Sequence, residues 1–126
     1  MSLRTPLSRA KGLGSAKEGV HHWMAERITA VALVPLIIWF IVGLIGIAGE
    51  GYEAARVWVA HPVNAVLLVL LLVTMFHHAQ LGMQVVYEDY QTSEWVKITC
   101  ILLTKLIAFA VAAAGSFAVL KIAFGG

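Results

Sequence analysis

Two adjacent histidines, His77 and His78, stand within a long apolar run whose far end reads Tyr87-Glu88-Asp89-Tyr90. Imidazole can bind a metal or carry a proton, a carboxylate can accept one, and a phenol can donate a hydrogen bond to a carbonyl oxygen. Read as a helix, the run places His78 ~14 Å from Tyr87 and ~24 Å from Pro62. His77 and His78 are then ~100° apart around the axis, so the two cannot chelate one ion. An ionisable group at such depth faces the interior of a bundle and marks a functional site by default. Two roles remain open for His78: a neutral imidazole tied to a neighbouring helix, or an axial ligand to haem iron in a dry pocket. Gly82, one turn on and on the same face, removes a side chain that would crowd a flat macrocycle stacked on the ring.

Asp89 follows His78 by eleven residues, so it returns to nearly the same face ~16 Å lower, at the membrane surface with Tyr90. Arg27 closes the polar segment before the first apolar run and is expected at that same depth. Acid, phenol and guanidinium together could bind the head of an amphipathic substrate, or they could form an interfacial belt with a salt bridge. Lys105 lies ~12 Å along the third run from Lys97 and is expected to snorkel. Met24, Met75 and Met83 read as packing residues.

These groups need membrane-spanning elements to position them. The chain has 126 residues, 60% hydrophobic and 13% charged. A soluble domain of this size cannot hide so much apolar surface. The pattern predicts an all-α membrane protein: a polar arm over residues 1–22, then transmembrane helices at about 28–48, 63–87 and 96–124 in one domain. Pro35 lies in the first span and is a place for a kink. Residues 49–62 form an amphipathic connector with Tyr52 and Trp58 as interfacial anchors, and residues 89–94 form a second connector. No cleavable leader is expected, because the first apolar run is longer than a signal core. The lone cysteine, Cys100, excludes an internal disulfide and reads as a small hydrophobe. Residues 12–17, GLGSAK, lack the spacing of a phosphate loop. The basic arm has no interleaved aromatics, so membrane orientation accounts for it better than nucleic-acid binding.

At this point the chain resembles the smaller, D-type membrane anchor of succinate dehydrogenase, respiratory complex II, in the α-proteobacterial style. The likeness covers nearly the whole sequence. It is carried by RAKGLGSAKEGVHHWMAERITA, residues 9–30, and by HAQLGMQVVYEDY, residues 78–90. The resemblance implies that His78 is an axial ligand to a b-type haem, the other ligand coming from a C-type cytochrome b anchor. It implies that Asp89 and Tyr90 border the ubiquinone site, and that Arg27 lies near that site and the haem propionates. His21 and His22 fall in the propionate region. Glu26 stands where family members often carry glutamine, and His77 has no family role. The implied partners are that second anchor, an iron–sulfur subunit and a flavoprotein that oxidises succinate, as part of the tricarboxylic acid cycle and electron transport. The implied location is a bacterial or mitochondrial inner membrane. Fumarate reductase anchors share the pattern. A b561-type reductase needs two histidines per haem from one chain. A small transporter or channel subunit with His78 and Lys105 in a proton path is a rival of another class, and an anchor without cofactor is a third.

Orientation follows from charge. Arg4, Arg9, Lys11 and Lys17 precede His21, whereas the first connector carries only Arg56. Lysine and arginine collect on the inner side, which puts the N-terminus in the cytoplasm or matrix and, after three spans, the C-terminus outside. Reporter fusions after Glu50 and at Gly126 are both expected on the outer side. An inner signal at Gly126 would mean an even number of spans.

Overall fold

The computed structural model describes residues 16–125, and these form four helices with no strand among them. In chain order they are α1 (Ala16–Ile47), α2 (Tyr52–Ala60), α3 (Pro62–Tyr90) and α4 (Glu94–Ala123). Three of them, α1, α3 and α4, are long and apolar enough to cross a membrane. The expected spans are therefore present, with longer helices around them. Most of the arm expected over residues 1–22 lies outside the described residues, Arg4, Arg9 and Lys11 included. Its last part, from Ala16, is helical and continuous with the first span. That stretch contains good helix formers and no proline, and its low hydropathy reports where lipid ends rather than where a helix ends. Pro35 lies inside α1, and the helix runs through it.

The helix ends have local causes. Gly49 and Gly51 have φ of 83° and 93°, a backbone that side-chain-bearing residues rarely adopt, and they turn the chain from α1 into α2. Pro62 opens α3 behind His61, whose Nδ1 accepts from the Val63 N–H at 3.3 Å. Asn64 Nδ2 donates to Trp58 O at 2.9 Å and ties the end of α2 to the start of α3. At the other end α3 continues through Asp89 and Tyr90, so the second connector shrinks from the expected 89–94 to residues 91–93. On α2 the Arg56 guanidinium hydrogen-bonds Glu53 at 2.7 Å and holds its carboxyl below the usual range.

Helix α3 lies at the centre, packed on both α1 and α4. It supplies Ala65, Leu68, Leu71 and Leu81 to the described core, α1 supplies Leu33, and α4 supplies none. Long apolar stretches such as Leu102, Leu103, Leu106 and Ile107 remain exposed, as expected where lipid or another chain is the solvent. Close approach relies on small residues. A Cβ at Gly115 of α4 would lie 3.1 Å from Leu72 Cδ1 of α3. At Gly43 of α1 it would collide with the Trp58 indole. Trp58 stacks on Trp39 at 5.3 Å between ring centroids. Trp58 is thus half-buried against α1, while Tyr52 is exposed.

This packing separates two glycines of the same helix. Gly43→Ala is expected to destabilise the protein by roughly 1–3 kcal/mol through overpacking against Trp58. Gly46, whose added Cβ meets nothing within 4 Å, is expected to tolerate alanine or gain about 0.5–1 kcal/mol from helix propensity. Thermal unfolding in detergent followed by tryptophan fluorescence checks the pair, and equal midpoints would discard the packing argument.

Candidate functional site

His78 is half-buried on the side of α3 that meets α1. It lies two turns beyond Leu71, which puts both on one face. Its Nδ1 is 2.8 Å from the Thr29 hydroxyl of α1. Thr29 is the buried polar residue of the described core, at 9% exposure. Its hydroxyl also reaches the carbonyl oxygens of Ala25, at 2.7 Å, and Glu26, at 3.1 Å. Sequence reasoning missed Thr29. Thr29 lies within the 9–30 stretch that carries the resemblance, but no role attaches to it there, because its partner is 49 residues away.

The two histidines part company. His77 turns to the other side of α3, where it lines a cavity of about 390 Å³ against α4 with Phe76, Gln80, Lys105, Phe109 and Ser116. The geometry agrees with the expectation that the pair cannot share an ion. No group of three or more His, Cys, Asp or Glu side chains suited to a metal ion occurs among the described residues. Lys105, read in the sequence as a snorkelling residue, borders this cavity. Gly82 opens space one turn below His78, since a Cβ built there meets nothing within 4 Å.

The Thr29–His78 hydrogen bond sets the register of α1 against α3, with a consequence for Arg27. Arg27 is two residues from Thr29, so its Cα lies only ~3 Å below the histidine level, while Asp89 lies ~16 Å below it. The common depth expected for Arg27, Asp89 and Tyr90 is not what the helices present. The Arg27 guanidinium lies 5.4 Å from the centroid of Trp23, one turn nearer the end of the bundle. This is the cation–π geometry favoured by arginine. His22 Nδ1 is 4.0 Å from Glu26, and its buried Nε2 has no hydrogen-bond partner among the described residues. His21 is exposed. Of the three, Arg27 is nearest the level of His78, while His22 and His21 lie roughly 10 and 12 Å lower along α1, closer to the level of Asp89.

Asp89 and Tyr90 end α3, both exposed, Tyr90 at 80%. Neither makes a side-chain hydrogen bond to another described residue. The tyrosine that works inside the bundle is Tyr87, whose hydroxyl accepts from Thr104 at 3.0 Å and links α3 to α4. The two tyrosines are three residues apart and have different surroundings: one fastens helices, the other is open to whatever lies beyond the chain.

The sequence that builds this arrangement has known relatives. The family model described as succinate dehydrogenase/fumarate reductase transmembrane subunit matches residues 1–114. A succinate dehydrogenase hydrophobic membrane anchor subunit of Rickettsia bellii is 35% identical over 105 residues, covering 83% of this chain and 84% of the relative. The protein of the same description from Rickettsia conorii is 33% identical over 116 residues, 86% and 92% of the two chains. The one from Paracoccus denitrificans is 29% identical over 121 residues, 96% and 93%. Matched along most of its length, the chain belongs to the family of succinate dehydrogenase and fumarate reductase transmembrane subunits.

Proposed function

We propose that this subunit anchors a succinate:quinone oxidoreductase in an inner membrane, co-ligates a b-type haem through His78 and contributes Asp89 and Tyr90 to the ubiquinone-reduction site. The observation that carries the reading is His78 itself. It lies deep in a span with one ring nitrogen engaged by Thr29, while the other has no hydrogen-bond partner among the described residues. That donor set suits haem iron, which needs one imidazole from each side, better than a bare ion, which needs several ligands. The open space at Gly82 is also what a flat ring beside the imidazole requires. When bound, the haem supplies a one-electron centre within the bilayer.

The remaining residues take roles from their levels. Arg27 lies just below the histidine, with His22 and His21 one to two turns further down α1, and cationic and hydrogen-bonding groups along this stretch suit propionate carboxylates. Arg27 can also extend toward the quinone, because its long side chain already points to that end of the bundle. Asp89 and Tyr90 border the inner membrane surface, where electrons from a soluble iron–sulfur subunit arrive. A quinone takes two electrons and two protons to become a quinol. Its carbonyl oxygens gain negative charge on the way, and a hydrogen bond from the Tyr90 hydroxyl strengthens as they do. A phenolic hydroxyl has one proton to donate in such a bond. Asp89 orients that phenol or passes protons inward.

Succinate oxidation belongs to a partner flavoprotein in this scheme. A C-type anchor supplies the second haem ligand, because this chain offers only one. Membrane lipid surrounds the rest, and nucleic acid has no part. The family model spans both succinate and fumarate enzymes. The relatives' names favour succinate as the donor.

Two experiments on the purified complex follow. His78→Ala is expected to abolish the b-type spectrum and His77→Ala to leave most of it. Loss of haem only in the His77 variant would shift the ligand by one residue. Tyr90→Phe removes one hydrogen bond to developing charge, worth roughly 1.5–3 kcal/mol, which is about tenfold to a hundredfold in succinate-to-quinone turnover. Its haem spectrum and its succinate oxidation with an artificial acceptor are expected to persist. Unchanged turnover with quinone would remove the phenol from the mechanism, and equal loss of both activities would indicate a defect of assembly.

A further inference from the structure

We propose that Thr29 is a positioning residue for His78, which it fixes as the Nδ1–H tautomer so that Nε2 presents a lone pair to iron. The proposal rests on the haem reading above and concerns only this chain's own residues. It starts from the hydroxyl's single proton. Thr29 Oγ1 has three polar neighbours: Ala25 O at 2.7 Å, Glu26 O at 3.1 Å and His78 Nδ1 at 2.8 Å. A carbonyl oxygen can only accept. Were the proton turned toward Nδ1, Oγ1 would confront the Ala25 oxygen at 2.7 Å lone pair to lone pair, with no hydrogen between them. The proton therefore lies on the carbonyl side. Oγ1 must then accept from the ring, and Nδ1 must carry the hydrogen.

The setting makes this arrangement firm. Thr29 is nearly buried, so water cannot readily take either role. Its β-branched side chain has few rotamers in a helix, and the bond to the carbonyl one turn back selects one of them. A neutral imidazole has one protonated and one free nitrogen, and the free one coordinates metals. With Nδ1–H committed, the free nitrogen is Nε2. Partners of this kind on the far ring nitrogen orient ligating histidines and raise their basicity. A hydroxyl acceptor is neutral, so it polarises the ring less than a carboxylate would. Thr29 thus sets both the direction of the ligand and how strongly it donates to iron.

The test compares Thr29→Val, which keeps the shape and loses the acceptor, with Thr29→Ser, which keeps the acceptor. In the assembled complex, Thr29→Val is expected to weaken haem retention about tenfold to a hundredfold. The midpoint potential of the haem that remains is expected to rise, because weaker donation stabilises ferric iron less. Thr29→Ser is expected to restore both. Wild-type retention and potential in Thr29→Val, beside an empty site in His78→Ala, would overturn the role of Thr29 while leaving the haem reading intact. Haem persisting in His78→Ala would overturn both. A readout independent of haem is the nitrogen-15 spectrum of the histidine-labelled full chain in detergent without haem. Nitrogen shifts marking Nδ1 as protonated and Nε2 as bare are expected for His78 at neutral pH. The opposite tautomer would refute the proposal whatever the variants do.

Discussion

A single hydrogen bond between spans, from His78 to Thr29, fixes how α1 lies against α3. Apolar side chains can slide along one another in a bilayer at little cost, because lipid is as oily as the helix it contacts. A polar pair cannot, since each group left alone in hydrocarbon would lose its partner without gaining water. The 2.8 Å contact therefore chooses one register among several that Leu33, Leu68 and Leu71 would tolerate. Small residues complete the fit: Gly43 admits Trp58, and Gly115 admits Leu72. The levels of Arg27, Asp89 and Tyr90 relative to the histidine all follow from that one choice.

Two zones result, at different heights. Around His78 the groups come from α1 and α3 together: Thr29 is buried, His78 and His22 are half-buried, and Arg27 and His21 are exposed. At the end of α3, Asp89 and Tyr90 stand clear of the rest of the chain. The first zone is organised by this chain and the second is presented by it. The reading of the chain as an anchor within a larger enzyme agrees with how little it buries on its own. Helix α4 contributes nothing to the described core.

Much of this could be read from the residues alone, for definable reasons. Three apolar runs of membrane length predict three spans, because no soluble environment accepts them. The spacing from His78 to Asp89 and Tyr90 lies within one helix, so helical geometry carries it over correctly. Relations between helices were not legible in the same way. Arg27 was expected at the depth of Asp89 because hydropathy marks the edge of an oily run, and that edge need not coincide with the end of a helix. Helix α1 begins at Ala16, well before its apolar stretch, and its partner's register raises Arg27 toward the histidine. Thr29 stayed hidden for a related reason. Its importance comes from a neighbour remote in sequence, and no local pattern encodes that.

The three-residue link between α3 and α4 also bears on how the chain enters its membrane. With only Gln91, Thr92 and Ser93 between them, the two helices form an antiparallel hairpin whose arms cannot reach lipid far apart. Lys105 and His77 are the residues that would resist insertion most if each helix crossed alone, a centrally placed lysine costing about 2.5–3.5 kcal/mol. In the hairpin they line one cavity with Gln80 and Ser116. Each arm thus offers the other a polar surface during translocation. The short loop turns two costly insertions into one cooperative event, and lengthening it would expose biogenesis, before catalysis, to the cost of those polar groups.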